Sequence, residues 1–307
     1  MRVASAPVSF GIFELTAEDA GLPAPGDVLD AMANGGYEGT ELGPPGYFGE
    51  GEGAGAAAAM ADRGLSLVGS FLPMRLSRRE HVDEDFGFLD RSLALLEEST
   101  PGDGVRPAVL ISDAFSEPDR VAGAGRIDQL PDTWLPDARF DLLAANAHRA
   151  AERCRERGFL PAFHYHGGTY VETPREIDRL AERLEPDLLG FCFDSGHSAF
   201  GGGDPVSFLD TYGELVTHVH LKDVDGAVMA EIRDRGLGLR EAWKRGVFCR
   251  FGEGSVDLGA VLERLRATGY DGWLVVEQDR FPQPGQTVAD LADDAAHNRE
   301  FLRELGV

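Results

Sequence analysis

The sequence predicts an α/β protein whose parallel strands close into a single-domain (β/α)8 barrel. Short apolar segments of strand length alternate with amphipathic helical segments along almost all of the 307 residues. Such alternation is typical of a parallel sheet with helices outside it, and eight β–α units are the number that closes a barrel. An open doubly wound sheet is the alternative. No GxGxxG motif follows the first strand, which disfavours the dinucleotide-binding form of that fold.

The first half of the chain contains four of these units. Glycines follow three of its helices, at Gly35, Gly64 and Gly158, as expected at helix C-termini. A long polar loop at residues 113–137 separates the fourth strand from its helix. Predicted strands cover residues 3–10, 37–42, 65–72 and 106–112, and predicted helices cover residues 27–34, 54–63, 83–98 and 140–157.

The second half repeats the pattern more regularly. Thr173 to Glu176 has the order of a capping box with proline at the first helical position, and Asp204-Pro205 opens another helix. Residues 1–307 form one domain in this interpretation, with residues 223–254 as an insertion after strand seven that holds a helix around residues 230–244. Predicted strands cover residues 159–166, 188–194, 215–222 and 273–277, and the last two helices cover residues 257–268 and 288–305.

The net charge argues against several classes of partner, and the cysteine spacing indicates the redox environment. The formal net charge is -24, which repels phosphate backbones and argues against nucleic acids and anionic membranes as partners. No apolar run reaches the ~18 residues of a membrane span, and the N-terminus has no signal-peptide pattern. The three cysteines have no paired spacing, so we expect a reducing, cytoplasmic location. The 223–254 insertion could also serve as a contact in a homo-oligomer.

Polar residues gather at the ends of the last four strands. In a (β/α)8 barrel these carboxyl ends meet at one mouth, where active sites lie. The strand ends read PAFHYHGG, FDSGH, HVHLKD and VVEQD, and they supply His164, His166, Asp194, His197, His218, His220, Lys222 and Glu277.

Asp194 ends an apolar strand and therefore needs a partner, because a buried carboxylate is costly unless it is paired or coordinates a metal. The apolar residues Val219 and Leu221 suit the helix-facing side of strand seven, so His220 should point into the barrel. A strand-five histidine, Asp194, His220 and Glu277 then converge. This mixed nitrogen and oxygen set suits a divalent ion with open positions, such as Mn²⁺, Co²⁺, Zn²⁺ or Fe²⁺.

Simpler interpretations compete with the metal site. An arginine could pair with Asp194. His218 fits a hydrogen-bonded core histidine better than a ligand, and His197 fits an orienting neighbour of Asp194 or a substrate contact. The prediction depends on the agreement of four strand ends rather than on any one residue.

The same motifs carry a family resemblance that covers nearly the whole chain. FHYHGGTYVET, FDSGH, HVHLKD and GWLVVEQD resemble the successive strand-end motifs of the xylose isomerase-like TIM barrels. The HxHxGT motif, the segment GYEGTELGPPGYF and the run from residue 246 to 279 resemble the inosose (2-keto-myo-inositol) dehydratase group. The resemblance places metal ligands on Asp194, His220 and Glu277. The fourth ligand, usually a strand-five glutamate, falls on His164, with His166 close by.

The resemblance also implies a type of chemistry, which is removal of a proton next to a carbonyl with a metal as Lewis acid. Candidate acid and base groups are Glu41, His166, His197 and Lys222. We expect a dehydratase acting on a small cyclitol or sugar, with Mn²⁺ or Co²⁺ first and Zn²⁺, Fe²⁺ or Mg²⁺ as alternatives. A sugar isomerase or epimerase with the same ligands is the nearby alternative, and a non-catalytic sugar-binding barrel is the distant one.

Overall fold

The parallel strands close into a barrel. The computed structural model of the chain describes residues 1–13, 16, 22–49, 52–100, 106–281, 283 and 285–307. The strands are β1 (Arg2–Ser5), β2 (Gly39–Glu41), β3 (Ser66–Met74), β4 (Ala108–Asp113), β5 (Leu160–His164), β6 (Gly190–Asp194), β7 (Val216–Leu221), β8 (Asp223–Val224), β9 (Phe248–Cys249) and β10 (Trp273–Val276). Neighbouring barrel strands follow the order β1-β2-β3-β4-β5-β6-β7-β10, and β10 pairs with β1 to complete the circle. This closure confirms the barrel and rules out the open sheet.

Helices follow the strands and cover the outside of the barrel. Several begin where the sequence supplies a cap: the Thr173 side chain and Glu176 form a complete capping box, and Asp204 and Asp257 each accept a backbone N–H of the helix that follows. The helices are α1 (Pro25–Asn34), α2 (Glu52–Ala61), α3 (Val82–Ser99), α4 (Pro118–Gly123), α5 (Asp137–Glu156), α6 (Pro174–Ala181), α7 (Ser195–Phe200), α8 (Pro205–Tyr212), α9 (Gly226–Arg235), α10 (Leu239–Lys244), α11 (Leu258–Ala267) and α12 (Val288–Glu304).

Some predicted segments differ from the structure. The first strand ends at Ser5 rather than residue 10, because Pro7 lacks an N–H for the sheet and Pro7–Phe10 form a 3-10 turn. The predicted loop 113–137 contains α4 and two 3-10 turns. The single helix expected around residues 230–244 is two helices, since Gly236 adopts φ 63° and ends α9.

Four apolar clusters lie among the described residues, and the two largest form the cores of the molecule. The larger lies between the barrel and its outer helices. The second, which we call the upper core, covers the C-terminal mouth and is built mainly by residues 223–254. Its buried members are Phe13, Ala124, Phe200, Val224, Ile232, Leu239, Ala242, Trp243, Val247 and Phe248.

Asp223 joins the two ends of this 223–254 segment. Its buried carboxylate accepts backbone N–H groups from both sides of the segment, in an arrangement we call the Asp223 clasp. Oδ1 accepts from Val224 at 2.8 Å and Val256 at 3.0 Å, and Oδ2 accepts from Gly252 at 2.9 Å and Gly254 at 3.0 Å. Charged acceptors make the stronger hydrogen bonds, so these contacts fix the base of the segment.

No helix in the described part of the chain combines the length and apolar character needed to cross a bilayer.

Candidate active site

A cleft opens at the C-terminal mouth of the barrel. The polar residues that line the cleft are Glu41, His164, His166, His220, Lys222, Glu277 and Asp279. Its large apolar lining residues include Val8, Phe13, Phe71, Phe115 and Trp243.

The four residues predicted as metal ligands lie together. His164 Nε2 is 3.2 Å from Asp194 Oδ2, and that oxygen is 3.5 Å from His220 Nδ1. His220 Nδ1 is in turn 2.8 Å from Glu277 Oε2. Asp194, His220 and Glu277 each offer one ligand atom, and these three atoms lie close enough together to bind a single ion. His220 points into the barrel as its strand pattern predicts.

Lys222 contacts the same carboxylates. Its Nζ donates to Asp194 Oδ2 at 2.6 Å and to Glu277 Oε2. Lys222, a candidate acid or base in the sequence, thus forms buried ion pairs with Asp194 and Glu277. Burial would lower the pKa of Lys222, but Asp194, Asp279 and Glu277 hold it well above its usual value. Lys222 is therefore a buried ammonium.

Two observations indicate that this site attracts a cation. Burial would raise the pKa of Asp194, but Lys222 and the surrounding histidines hold it well below its usual range, so the carboxylate stays ionised. The buried Nδ1 atoms of His164 and His220 make no hydrogen bond among the described residues, and the 2.8 Å contact of His220 Nδ1 with Glu277 Oε2 lacks the alignment of a hydrogen bond. Buried polar atoms are rarely left unpaired. Ionised oxygens beside unpaired imidazole nitrogens fit the ligand chemistry of a divalent metal.

Glu41 orients His220. Its Oε1 lies 2.9 Å from Nε2 of His220 and 2.9 Å from Nε2 of His218. When His220 donates through Nε2, its Nδ1 faces Asp194 and Glu277. Gly69 leaves room for this pair, because a Cβ there would be 2.8 Å from Glu41 Oε1. Burial would raise the pKa of Glu41, but the two histidines lower it well below its usual value.

His166, His197 and Asp279 form a second cluster. Asp279 Oδ2 is 3.2 Å from His197 Nε2 and 3.8 Å from His166 Nε2. The Gly167 carbonyl lies 2.8 Å from His166 Nδ1, while the Gly167 N–H donates to His197 Nδ1 at 3.3 Å. These contacts favour opposite tautomers: His197 keeps its proton on Nε2 and donates to Asp279, whereas His166 presents a bare Nε2 to the cleft.

Asp279 was not predicted from the sequence, although a signal was available. Residues two apart on an extended segment share a face, so the placement of Glu277 at the mouth implies the same for Asp279. Burial raises the pKa of Asp279 to about 7, with Lys222 opposing the shift. Asp279 can therefore hold a proton near neutral pH.

Cys192 lies near His164 and His220, and the three residues form another group that could hold an ion. In the absence of a metal, burial raises the pKa of its thiol to about 11.

Local structure fixes Asp194 in place. The Tyr165 hydroxyl bonds to both the N–H and the C=O of Asp194, at 2.9 and 3.0 Å. Asp194 Oδ1 accepts the N–H of His197 at 2.8 Å and so caps α7, a short helix that was not predicted. Gly196 allows α7 to approach β7, because a Cβ there would collide with Cβ of Lys222.

These features define a TIM-barrel enzyme with a buried carboxylate–imidazole site at the C-terminal mouth. The chain belongs to the xylose isomerase-like TIM barrel family, whose model matches residues 29–305. The resemblance predicted from the strand-end motifs is thus confirmed.

The chain is also similar to several named proteins. Over 291 residues the chain is 31% identical to an inosose dehydratase of Geobacillus kaustophilus, covering 90% of this chain and 89% of the relative. It is 36% identical over 261 residues to the rhizopine catabolism protein MocC of Rhizobium meliloti, covering 83% of this chain and 74% of that protein. The crystal structure of the IolI protein with a bound zinc atom has the same fold, with a TM-score of 0.71 at 13% identity, covering 99% of this chain and 98% of that one.

Proposed function

We propose that this chain is a divalent-metal-dependent lyase that dehydrates 2-keto-myo-inositol or a closely related keto-cyclitol. The observation that carries the proposal is the convergence of His164, Asp194, His220 and Glu277 in one buried site. The inosose dehydratase that aligns along nearly the full chain supports this substrate class. A sugar isomerase or epimerase is less favoured, because the named relatives of substantial identity include several dehydratases. A silent binding barrel would not need to keep these groups.

His164, Asp194, His220 and Glu277 would hold the metal. Two imidazole nitrogens and two carboxylate oxygens suit Mn²⁺ or Co²⁺, with Zn²⁺ and Fe²⁺ as alternatives, and suit Mg²⁺ least because it prefers oxygen ligands. When bound, the ion supplies Lewis-acid polarisation of the substrate carbonyl. Glu41 holds the imidazole of His220 in the tautomer that this arrangement requires.

The second cluster supplies the proton transfers. His166 Nε2 faces the cleft without a proton and is placed to accept one from the carbon next to the carbonyl. Asp279, protonated near neutral pH, is placed to donate a proton to the leaving β-hydroxyl, which departs as water. The enol that remains tautomerises to a dione. His197 holds Asp279 through Nε2, and the Lys222 ammonium can donate to a substrate oxygen.

The charges of the cleft favour a neutral substrate. Lys222 is the single lysine or arginine among the described residues that line it, and its Nζ already contacts Asp194, Glu277 and Asp279. A phosphate or carboxylate on the substrate would meet these acids without a free cation to bind it. An uncharged keto-cyclitol fits better than a sugar phosphate.

Metal analysis and product detection test the proposal together. The purified protein is loaded with Mn²⁺ or Co²⁺ and incubated with 2-keto-myo-inositol in D₂O. We expect loss of water with appearance of the dione absorbance. Asp194→Asn should abolish bound metal and activity, whereas Asp204→Asn, which changes an exposed helix cap, should leave both intact. Deuterium exchange without dione would identify an epimerase or isomerase. Absence of stoichiometric metal would overturn the metalloenzyme proposal.

A further inference from the structure

Trp243 connects the 223–254 segment to the cleft. It lies on α10, is 3% exposed, and lines the same cavity as His166 and Lys222. Its ring is perpendicular to the imidazole of His166, with centroids 6.1 Å apart. Since His166 carries the unprotonated nitrogen that faces the cleft, a molecule bound against His166 would also meet the indole.

The indole is held in place before any ligand binds. Phe13 meets it edge to face at 5.1 Å, and Phe281 packs against it at 5.9 Å. Trp243 belongs to the upper core, which the Asp223 clasp anchors to the barrel. A rigid aromatic side chain loses little conformational entropy when a ligand binds, so its contacts contribute efficiently to affinity.

The indole N–H of Trp243 is buried and has no hydrogen-bond acceptor among the described residues. Trp134 provides a comparison, since its Nε1 donates to the carbonyl of Ile127 at 2.9 Å. A buried donor without an acceptor is costly, and buried Trp N–H groups usually find a partner. Trp243 also lines the cleft, so a ligand bound there is a source of an acceptor for this donor.

We propose that Trp243 is a substrate-recognition residue, an inference that rests on the proposed function and extends it. Its ring lines the cleft with those of Phe71 and Phe115, and all three pack around the imidazole of His166, with centroid distances of 6.1, 5.9 and 4.8 Å. A polyhydroxylated six-membered ring can place its C–H face against these aromatic rings. One hydroxyl remote from the carbonyl then accepts the hydrogen bond from Trp243 Nε1. The 223–254 segment thereby sets which ring the barrel accepts.

Tryptophan fluorescence tests this contact without reference to turnover. The chain has three tryptophans, and neither Trp134 nor Trp273 lines the cleft. A Trp134→Phe/Trp273→Phe variant therefore carries Trp243 as its sole emitter. Titration of the metal-loaded variant with 2-keto-myo-inositol should give a saturable change in emission, with a midpoint that matches the Kd from calorimetry. Bound substrate without any emission change would overturn the proposal.

Kinetics test the hydrogen bond itself. Trp243→Phe keeps an aromatic ring and removes the N–H. We expect KM to rise about five- to tenfold, as for one neutral hydrogen bond, with kcat within about twofold of wild type. Trp134→Phe is the matched control and should leave both constants unchanged. A purely structural role would lower the melting temperature and kcat while KM stayed constant, and that result would overturn the proposal.

The two proposals fail in distinguishable ways. If the wild-type protein neither binds nor dehydrates 2-keto-myo-inositol, the proposed function is wrong, and recognition of this substrate by Trp243 is wrong with it. If the wild type dehydrates the substrate and Trp243→Phe has unchanged KM and kcat, the role of Trp243 alone is wrong.

Discussion

Glu41 on β2 reaches across the barrel mouth to His220 on β7, with Oε1 2.9 Å from Nε2. The same oxygen is 2.9 Å from Nε2 of His218. Sequence reasoning placed Glu41 among the candidate acids and bases, and the catalytic roles of individual residues remain predictions. The geometry favours a positioning role, because one oxygen of the carboxylate already contacts two imidazoles.

Glu41→Gln should therefore weaken metal binding. An amide can donate where the carboxylate only accepts, so it does not enforce the Nε2–H tautomer of His220. We expect the Kd for Mn²⁺, measured by calorimetry, to rise about 10- to 100-fold. Glu38→Gln is the control, since Glu38 lies near the opposite end of β2 in an exposed pair with Arg2. An unchanged Kd would exclude the orienting role of Glu41.

Lys222→Gln should destabilise the metal-free protein. Removal of one partner from a buried ion pair typically costs about 3–5 kcal/mol, and here Asp194 and Glu277 would lose their shared cation. Mn²⁺ should restore part of the loss, because a ligand that binds the folded state stabilises it. Urea unfolding with and without Mn²⁺ measures both effects. The exposed Lys244, changed to Gln, is the control. Equal stability of the two metal-free variants would contradict this account.

The stability of the protein should depend on Glu172. Its carboxylate accepts the N–H groups of Gly125 and Gly168 at 2.7 and 2.6 Å, and burial raises its pKa to about 7 from an ordinary 4.5. Between these pH values the folded protein holds a proton that the unfolded chain has lost. The associated stability is therefore present below about pH 4.5 and lost as pH rises through 7.

Urea unfolding between pH 5 and 8 measures this dependence. The unfolding free energy of wild type should fall as pH rises over this range, and in Glu172→Gln this fall should be smaller by up to about 3 kcal/mol. Burial also raises the pKa of Asp113 to about 7. Asp113 is present in both proteins, so the difference between their pH profiles reports the contribution of Glu172. Glu182→Gln, at an exposed position, should keep the wild-type slope. A parallel slope in Glu172→Gln would show that Glu172 does not titrate in this range.

Gly196→Ala should disturb the site directly. The new methyl group would collide with the stem of Lys222, so α7 or β7 must shift. Overpacking of this kind costs about 1–3 kcal/mol, and we expect weaker metal binding as well. Gly55→Ala in α2 is the matched control, because a Cβ there meets no atom and alanine should stabilise the helix by roughly 0.5–1 kcal/mol. Thermal unfolding distinguishes the two.

Strand periodicity predicted the barrel and most of the site. Alternation along β7 placed His220 inside, and the apolar run of β6 placed Asp194 at its end. The partner of Asp194 was less predictable. Lys222 contacts both Asp194 and Asp279 only because β6, β7 and β10 share one mouth, and the sequence alone does not give side-chain directions beyond a strand end.

The 223–254 segment shows where periodicity fails. Its length predicted an insertion, but Gly236 divides the expected helix in two. The placement of Trp243 beside His166 depends on packing between α10 and residues distant in sequence, such as Phe13. No local pattern encodes such a contact. The short helix α7 was missed for a related reason, since its cap is the carboxylate of Asp194 itself.

The Asp223 clasp has a consequence for how such barrels diversify. One carboxylate ties both ends of the 223–254 segment. The entropy lost in closing a loop depends only weakly on the number of residues between its ends, so the length of this segment can vary at little cost. Evolution or protein engineering could exchange that stretch as a cassette, and the strands that carry Asp194, His220 and Glu277 would not need to adjust. New substrate preference could then arise by replacing one continuous piece of chain.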